Sequence, residues 1–383
     1  MVTPEVVDTL SRLVSMPTVS HRPVVEIAAY LAQRAEDVGF EIHRFETEPG
    51  KINVVALAGP SRSGGLVLSG HMDVVPVKDQ TWTSDPFTLR TDGSRLHGRG
   101  TCDMKGFIAA VTEAMTPSLI RALDRPLALI WTHDEEVGCL GSAALHEQID
   151  LLDRPLPELA WIGEPTSFRV CNLHPGHCRI RIYCTGRPAH SSRPELGLSA
   201  IEIAAEICMR LRDLQRALST ERAFESQLDS PFTILNIAEI EGGSAINIIP
   251  EHCDIRVGAR PLPGQTGEDV LERIRETIEP VTRRAERDGG SVKLTLGQRT
   301  PSLHTSTGCA LMPSLLAHAE SPHPIGAPFA TDGGNLTTLG METLIFGPGS
   351  IDQAHRADEF ILAEELFRTI GLVQGVVQSQ CGD

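Results

Sequence analysis

The sequence predicts an α/β protein, in which a mostly parallel-sheet domain is interrupted by an inserted α+β domain of β-α-β-β-α-β order, ferredoxin-like. Three observations carry this. Helical and strand-like spacings alternate through the first part of the chain, a shorter cycle of strands and helices begins near His177, and a strand-like run with a long amphipathic helix returns after Arg299. At 383 residues the chain exceeds one ordinary domain. The expected division is therefore 1–176 and 299–383 for the larger domain, with 177–298 inserted.

In order along the chain, Pro23 to Val38 spaces Val25, Ile27, Ala28, Leu31 and Ala32 on one helical face, and Phe40–Phe45, Ile52–Leu57 and Gly65–Leu68 read as strands. A helix follows Asp103, through Phe107 to Met115, and the apolar run Leu127–Trp131 reads as the next strand. Such alternation predicts ligand sites at the carboxyl ends of the strands. In the insert, Arg179–Cys184, Phe232–Ile240, Cys253–Val257 and Val292–Leu296 read as strands, with helices over Leu198–Leu214 and Glu268–Ala285. The last segment carries the strand-like Thr343–Phe346 and a helix over Ala363–Val377, which complete the first domain.

Composition narrows the function classes. A hydrophobic fraction of 41% against 22% charged residues suits a soluble, core-forming chain. A formal charge of -16 repels phosphate backbones and anionic headgroups, so neither nucleic acid nor a membrane surface is an expected partner. The nine cysteines are odd in number and form no Cys-x-x-Cys pair, which argues against a disulfide framework and for a reducing compartment. With no basic-then-apolar leader and no apolar run long enough to span a bilayer, the expected location is the cytoplasm.

Five short clusters carry the chemistry. Gly70-His71-Met72-Asp73 follows an apolar strand, and residues two apart in an extended segment share a side, so Asp73 is placed to accept from one nitrogen of His71 while the other binds a metal. Gly98 to Gly106 packs glycines around Asp103 just before a helix and matches neither a phosphate loop nor a dinucleotide loop. Asp134-Glu135-Glu136 follows the strand Leu127–Trp131; adjacent residues point in different directions, which leaves Glu136 to ligate and Glu135 to face a water as general base. Gly163-Glu164-Pro165-Thr166 and His355-Arg356-Ala357-Asp358-Glu359 complete the set. Taken singly, each reads first as a strand-end histidine, a capped turn or a solvated acidic turn. Together they offer two histidines and three carboxylates as ligands, with a fourth carboxylate as base, a donor set suited to two zinc-like ions bridged by one carboxylate.

These five clusters, in this order and together with Gly347-Pro348-Gly349-Ser350, resemble the acetylornithine deacetylase and succinyl-diaminopimelate desuccinylase family, which also contains aminoacylases and metal-dependent carboxypeptidases. The resemblance spans essentially the whole chain. It implies a zinc-peptidase-like catalytic domain with an inserted dimerisation domain, and a homodimer. It further implies that His71 and Glu164 hold one zinc, that Glu136 and His355 hold the other, and that Asp103 bridges them. Cobalt or manganese could replace zinc. Asp73 would orient His71, Glu135 would act as proton shuttle, and a cis peptide would follow Asp103.

In the insert, Gly186-Arg187-Pro188-Ala189-His190-Ser191-Ser192 is similar to the family's Gly-His-Ser-Ser segment, with Ala189 in place of the glycine. By that likeness His190 would reach a partner subunit's site and donate to the oxyanion, the alternative being a surface histidine in a turn. Asn247 and Arg260 resemble positions that grip the substrate carboxylate, a task the guanidinium fork suits geometrically. The Arg260 to Gly264 and Gly347 to His355 segments are closer to the acetylornithine deacetylases than to the desuccinylases. Two departures are Thr331-Asp332-Gly333, where that branch shows Thr-Glu-Ala, and the proline in His174-Pro175-Gly176-His177. The implied activity is metal-dependent hydrolysis of the amide of N-acetyl-L-ornithine, or a close N-acyl amino acid, in arginine biosynthesis. The alternatives are an aminoacylase, a desuccinylase or a carboxypeptidase on the same scaffold, or a non-catalytic zinc-bound dimer.

Overall fold

The computed structural model describes residues 4–224 and 227–382. They fall into two compact units, one drawn from Met1–Leu173, His304–Gly326 and Thr331–Asp383, the other from His174–Leu303 and Ala327–Ala330.

The first unit is built on a nine-stranded mixed sheet. Its centre is four parallel strands in the order Leu127–Thr132, Leu66–His71, Leu159–Ile162 and Glu342–Ile345. Every residue of the first three is buried, as expected of parallel strands covered on both faces. The flank is antiparallel. Glu41–Glu48 turns back through Pro49 and Gly50 into Lys51–Ala58, a connection too short for a parallel crossover, and Lys51–Ala58 then runs antiparallel to Leu127–Thr132. Gly50 adopts φ +81°, a left-handed turn conformation that a glycine enters without steric cost. Helix Val25–Val38 packs on Lys51–Ala58, and Lys105–Ala114 packs against both Pro4–Val14 and Ala363–Cys381.

The second unit contains a four-stranded antiparallel sheet of Ile234–Gly242, His252–Arg260, His177–Thr185 and Ser291–Thr300, in that spatial order, with helices Ala200–Leu218 and Gly267–Arg287. The chain order is β-α-β-β-α-β, as the spacing predicts. Ile180, Ile182 and Cys184 alternate inward along one strand and join Ile203, Ile207, Leu211, Ile274 and Ile278 in a single core. Thr266 and Asp269 cap the second helix reciprocally, which fixes its start. No disulfide joins the described residues, and no helix among them is long and apolar enough to cross a membrane.

His174 is fully buried in this unit, and its Nδ1–H donates to the Pro175 carbonyl at 2.9 Å. Burial, helped by the charge of Arg260, depresses its pKa to about 4. A histidine whose folded pKa lies below its unfolded one favours the fold fully above the unfolded value of about 6.5, and that contribution is lost as pH falls toward 4. The loss amounts to about 3 kcal/mol. Unfolding midpoints of wild type and His174→Asn, measured from pH 7 to pH 4, should therefore converge on acidification. Parallel curves would contradict the assignment.

Candidate active site

The four central strands end on one side of the sheet, and their carboxyl ends deliver the ligand set. His71 closes its strand, Glu135 and Glu136 lie just beyond Thr132, Glu164 lies just beyond Ile162, and His355 sits in the loop after Ile345. Asp103 precedes the helix Lys105–Ala114, and its peptide to Met104 is cis.

The side chains converge. His71 Nε2 lies 3.0 Å from Asp103 Oδ1 and 3.8 Å from Glu164 Oε1, whereas His355 Nε2 lies 3.5 Å from Asp103 Oδ2 and 2.9 Å from Glu136 Oε2. Asp103 thus turns one carboxylate oxygen toward each histidine. Donor atoms of His71, Asp103 and Glu136, and separately of His71, Glu135 and Glu164, all approach within 4.8 Å of one another. His71, Asp103 and Glu164 are buried, and His355 is 54% exposed at its side chain, so only one imidazole opens to solvent.

Electrostatics favour cations here. Burial, with the charge of Asp103 adding, pushes Glu136 up to about 7 and holds Glu164 well above the carboxylate range. Glu135 is likewise driven well up, first by burial and then by the charges of Glu164 and Asp332 against a lowering by His71. Asp103 goes the other way: burial raises it, but the two imidazoles together pull it below its usual value. Bonds to Asp103 and Glu136 lift His355 to about 10. Glu136 Oε1 is buried and has no hydrogen-bond partner among the described residues. A ligand oxygen left without a donor beside two imidazoles and three other carboxylates fits a pair of divalent ions.

Asp73 meets His71 through its main chain more closely than through its carboxylate. The His71 Nδ1–H donates to the main-chain carbonyl of Asp73 at 2.9 Å, and the Asp73 carboxylate stands 3.7 Å from that nitrogen. The carboxylate instead accepts from the backbone N–H of Glu135 at 2.9 Å, of Glu136 at 3.3 Å, and from Ser20 Oγ–H at 2.8 Å. The strand stops at His71, so strict alternation no longer governs two residues on. Asp73 therefore fixes the turn carrying Glu135 and Glu136. That turn is held from its other end by Asp134, paired with buried Lys51 at 2.8 Å.

Of the other sequence candidates, His190, Asn247 and Arg260 all belong to the second unit. His190 is exposed, its Nδ1 lies 2.7 Å from Ser192 Oγ, and the Ser191 N–H donates to the Asn247 carbonyl, so the two loops touch. Arg260 is only part-exposed, ends its strand, and forms no ion pair among the described residues. One neighbour of Glu135 was not legible as such. Asp332, buried, accepts from Thr132 Oγ–H and Ser142 Oγ–H at 2.5 Å each, and its oxygen, Cys139 Sγ and a Glu135 oxygen lie within 4.8 Å of one another.

Gly163 lets the Phe107 ring press against the backbone that leads into Glu164. A β-carbon there would stand 1.9 Å from Cγ of Phe107, whose ring packs 5.5 Å from that of Trp161. Gly163→Ala should therefore cost about 3 kcal/mol of stability through overpacking, read from the denaturant midpoint.

A mixed sheet whose parallel strands carry paired imidazoles and carboxylates around one shared aspartate, with a further carboxylate beside them, defines a hydrolase of amide bonds with a candidate metal centre. The chain belongs to Peptidase family M20/M25/M40, whose sequence pattern matches residues 67–379. It is 35% identical over 381 residues to an acetylornithine deacetylase of Myxococcus xanthus, covering 98% of this chain and 97% of that one. Among solved structures, a tripeptidase of Staphylococcus aureus shares the fold with a TM-score of 0.77 at 21% identity over 98% of each chain. A dinuclear metal-binding M20 peptidase of Bacillus subtilis does so with a TM-score of 0.70 at 16% identity, again over 98% of each chain.

Proposed function

We propose that this protein hydrolyses the amide bond of an N-acyl amino acid, N-acetyl-L-ornithine first among them, releasing the free amino acid and acetate. A role in arginine biosynthesis follows from that substrate. The observation that carries the reading is Asp103 facing His71 with one oxygen and His355 with the other, while Glu135 stands beside the same centre without being needed by the His355 pair. His71 and Glu164 would hold one ion, Glu136 and His355 the other, with Asp103 shared. Zinc suits these nitrogen and oxygen donors, and cobalt or manganese would occupy them too.

The bound ions would polarise the scissile carbonyl and lower the pKa of water. Glu135 takes a proton from the attacking water as its oxygen bonds to the carbonyl carbon. When the C–N bond breaks, Glu135 returns that proton to the departing amine. Arg260, half-buried and without an anionic partner among the described residues, is suited to the substrate carboxylate, and Asn247 to a second hydrogen bond there. His190, exposed, would donate to the oxyanion in the site of a second copy. A homodimer is supported by the apolar residues that the second unit leaves on its surface: Ile246, next to Asn247, is fully exposed, Ile248, which bridges to His190, is 42% exposed, and Leu196 and Ile240 are about half exposed.

Turnover of N-acetylornithine, compared with other acylated amino acids, N-succinyl compounds and dipeptides, tests the substrate. Higher kcat/KM on N-acetylornithine is expected; preference for a succinylated compound or a dipeptide would move the chain to a desuccinylase or a carboxypeptidase. No turnover of any would leave a metal-bound binding protein.

A further inference from the structure

Strand Arg95–His97 pairs antiparallel with Phe360–Leu362, Leu96 opposite Ile361, and this short ribbon sets two chain segments side by side. One continues into the loop carrying Asp103; the other arrives from the loop carrying His355. At their junction Arg99 and Glu359, each 1% exposed at the side chain, form an ion pair of 2.6 Å.

The Glu359 carboxylate accepts three more hydrogen bonds, from the backbone N–H groups of Gly100 at 3.0 Å, Cys102 at 2.8 Å and Asp103 at 3.1 Å. The other arm of Arg99 donates to Gln80 Oε1 at 2.7 Å, while Nη1 also reaches the Arg356 carbonyl at 3.3 Å. Gln80 closes the frame by donating from Nε2 to the His355 carbonyl at 2.8 Å. Trp82 seats Gln80 through a bond from its indole N–H at 3.1 Å, and its ring lies 5.0 Å from the Arg99 guanidinium carbon. Asp103 and His355 are therefore anchored through their backbones by one connected polar unit.

The His71 half of the centre is held differently. His71 lies in the sheet and is oriented by the Asp73 carbonyl, and Glu164 follows a buried strand. His355 has no such support. It adopts φ +61°, uncommon for a residue with a side chain, and sits in a loop with its side chain 54% exposed. Gln80 and Arg99 tether that loop at adjacent carbonyls. A buried ion pair is weak evidence of stabilisation by itself, since its desolvation offsets its attraction. Its four additional backbone contacts point instead to placement.

We propose that Glu359, Arg99 and Gln80 are positioning residues that set the affinity of the Glu136–His355 metal position, leaving the His71–Glu164 position comparatively independent. This rests on the dinuclear reading given above. Partners behind a metal ligand commonly change its affinity by about 10–100-fold when removed.

The test is calorimetric titration of the metal-free full chain with Co2+, together with the visible absorption of the bound ion. Wild type should take up two equivalents. Glu359→Gln, which also loosens the backbone of the shared Asp103, should bind the second about 10–100-fold more weakly, with the first less affected than that. Gln80→Ala, at the solvent side of the frame, should weaken only the second, and guards against a Glu359 variant that fails to fold. In a His355→Ala background, Gln80→Ala should leave the remaining position unchanged. Wild type binding two ions while both variants lose the two positions equally, or neither, would overturn the inference alone. Wild type taking up no Co2+ would overturn the metal-centre reading and the inference with it.

Discussion

Replacing Glu135 with alanine should lower turnover by about three orders of magnitude or more while both cations still bind. The argument is one of placement. Glu136, next in sequence, is the carboxylate within 2.9 Å of His355, and Asp103 serves both imidazoles. Glu135 lies beside the His71 and Glu164 donors; its backbone N–H bonds to Asp73, and its carboxylate accepts a thiol bond from Cys139 Sγ at 3.5 Å. Burial keeps its carboxyl well above the usual range, which favours a group that takes a proton and gives it back. Metal content and kcat measured on the same preparation decide between roles. A variant with full metal and unchanged kcat would exclude Glu135 as the shuttle, and one without metal would make it a ligand.

The parts of this centre that could be read in the sequence are those fixed by local order. Strand-then-glycine contexts put His71, Glu136 and Glu164 at strand ends, and the parallel register then brings those ends together. The β-α-β-β-α-β insert was legible because apolar residues alternate along strands such as His177–Thr185 and recur at helical spacing in Gly267–Arg287. Helix Pro4–Val14 went unread although Val6, Leu10, Leu13 and Val14 are buried at helical spacing, and Leu140–Gln148 shows little amphipathic contrast. The antiparallel flank depended on a two-residue turn that strand-by-strand reading does not weigh. Asp73, Asp332 and Glu359 owe their roles to partners distant in sequence: Asp332 bonds Thr132, Glu359 bonds Cys102, and Asp73 bonds Ser20. No local pattern announces such contacts, because burial of a carboxylate is a tertiary property.

Removing the cations should destabilise the protein by about 4 kcal/mol for each position, when the loaded reference contains free metal about 1,000-fold above its Kd. Two positions would lower the melting temperature by on the order of 10 °C. The reason is the imbalance of charge that the fold buries. Asp73, Asp103, Glu164 and Asp332 are all buried, with Glu135 and Glu136 only partly exposed, and His71 and His355 are the two imidazoles paired with this group among the described residues. Burial and mutual repulsion hold Glu135, Glu136 and Glu164 above the normal carboxylate range, so each fully ionised carboxylate resists being there at neutral pH without a cation. Lys105, the nearest buried amine in sequence to Asp103, cannot supply the missing charge: its ammonium donates to the carbonyls of Leu13 and Met16, and burial lowers it to about 7. A solvated acidic turn would behave otherwise, since water already satisfies its carboxylates. Melting curves before and after chelation, with zinc added back, separate the two. Equal midpoints would mean that the carboxylates gathered at the strand ends do not depend on metal, whereas a drop restored by zinc ties the stability of the first unit to its ions.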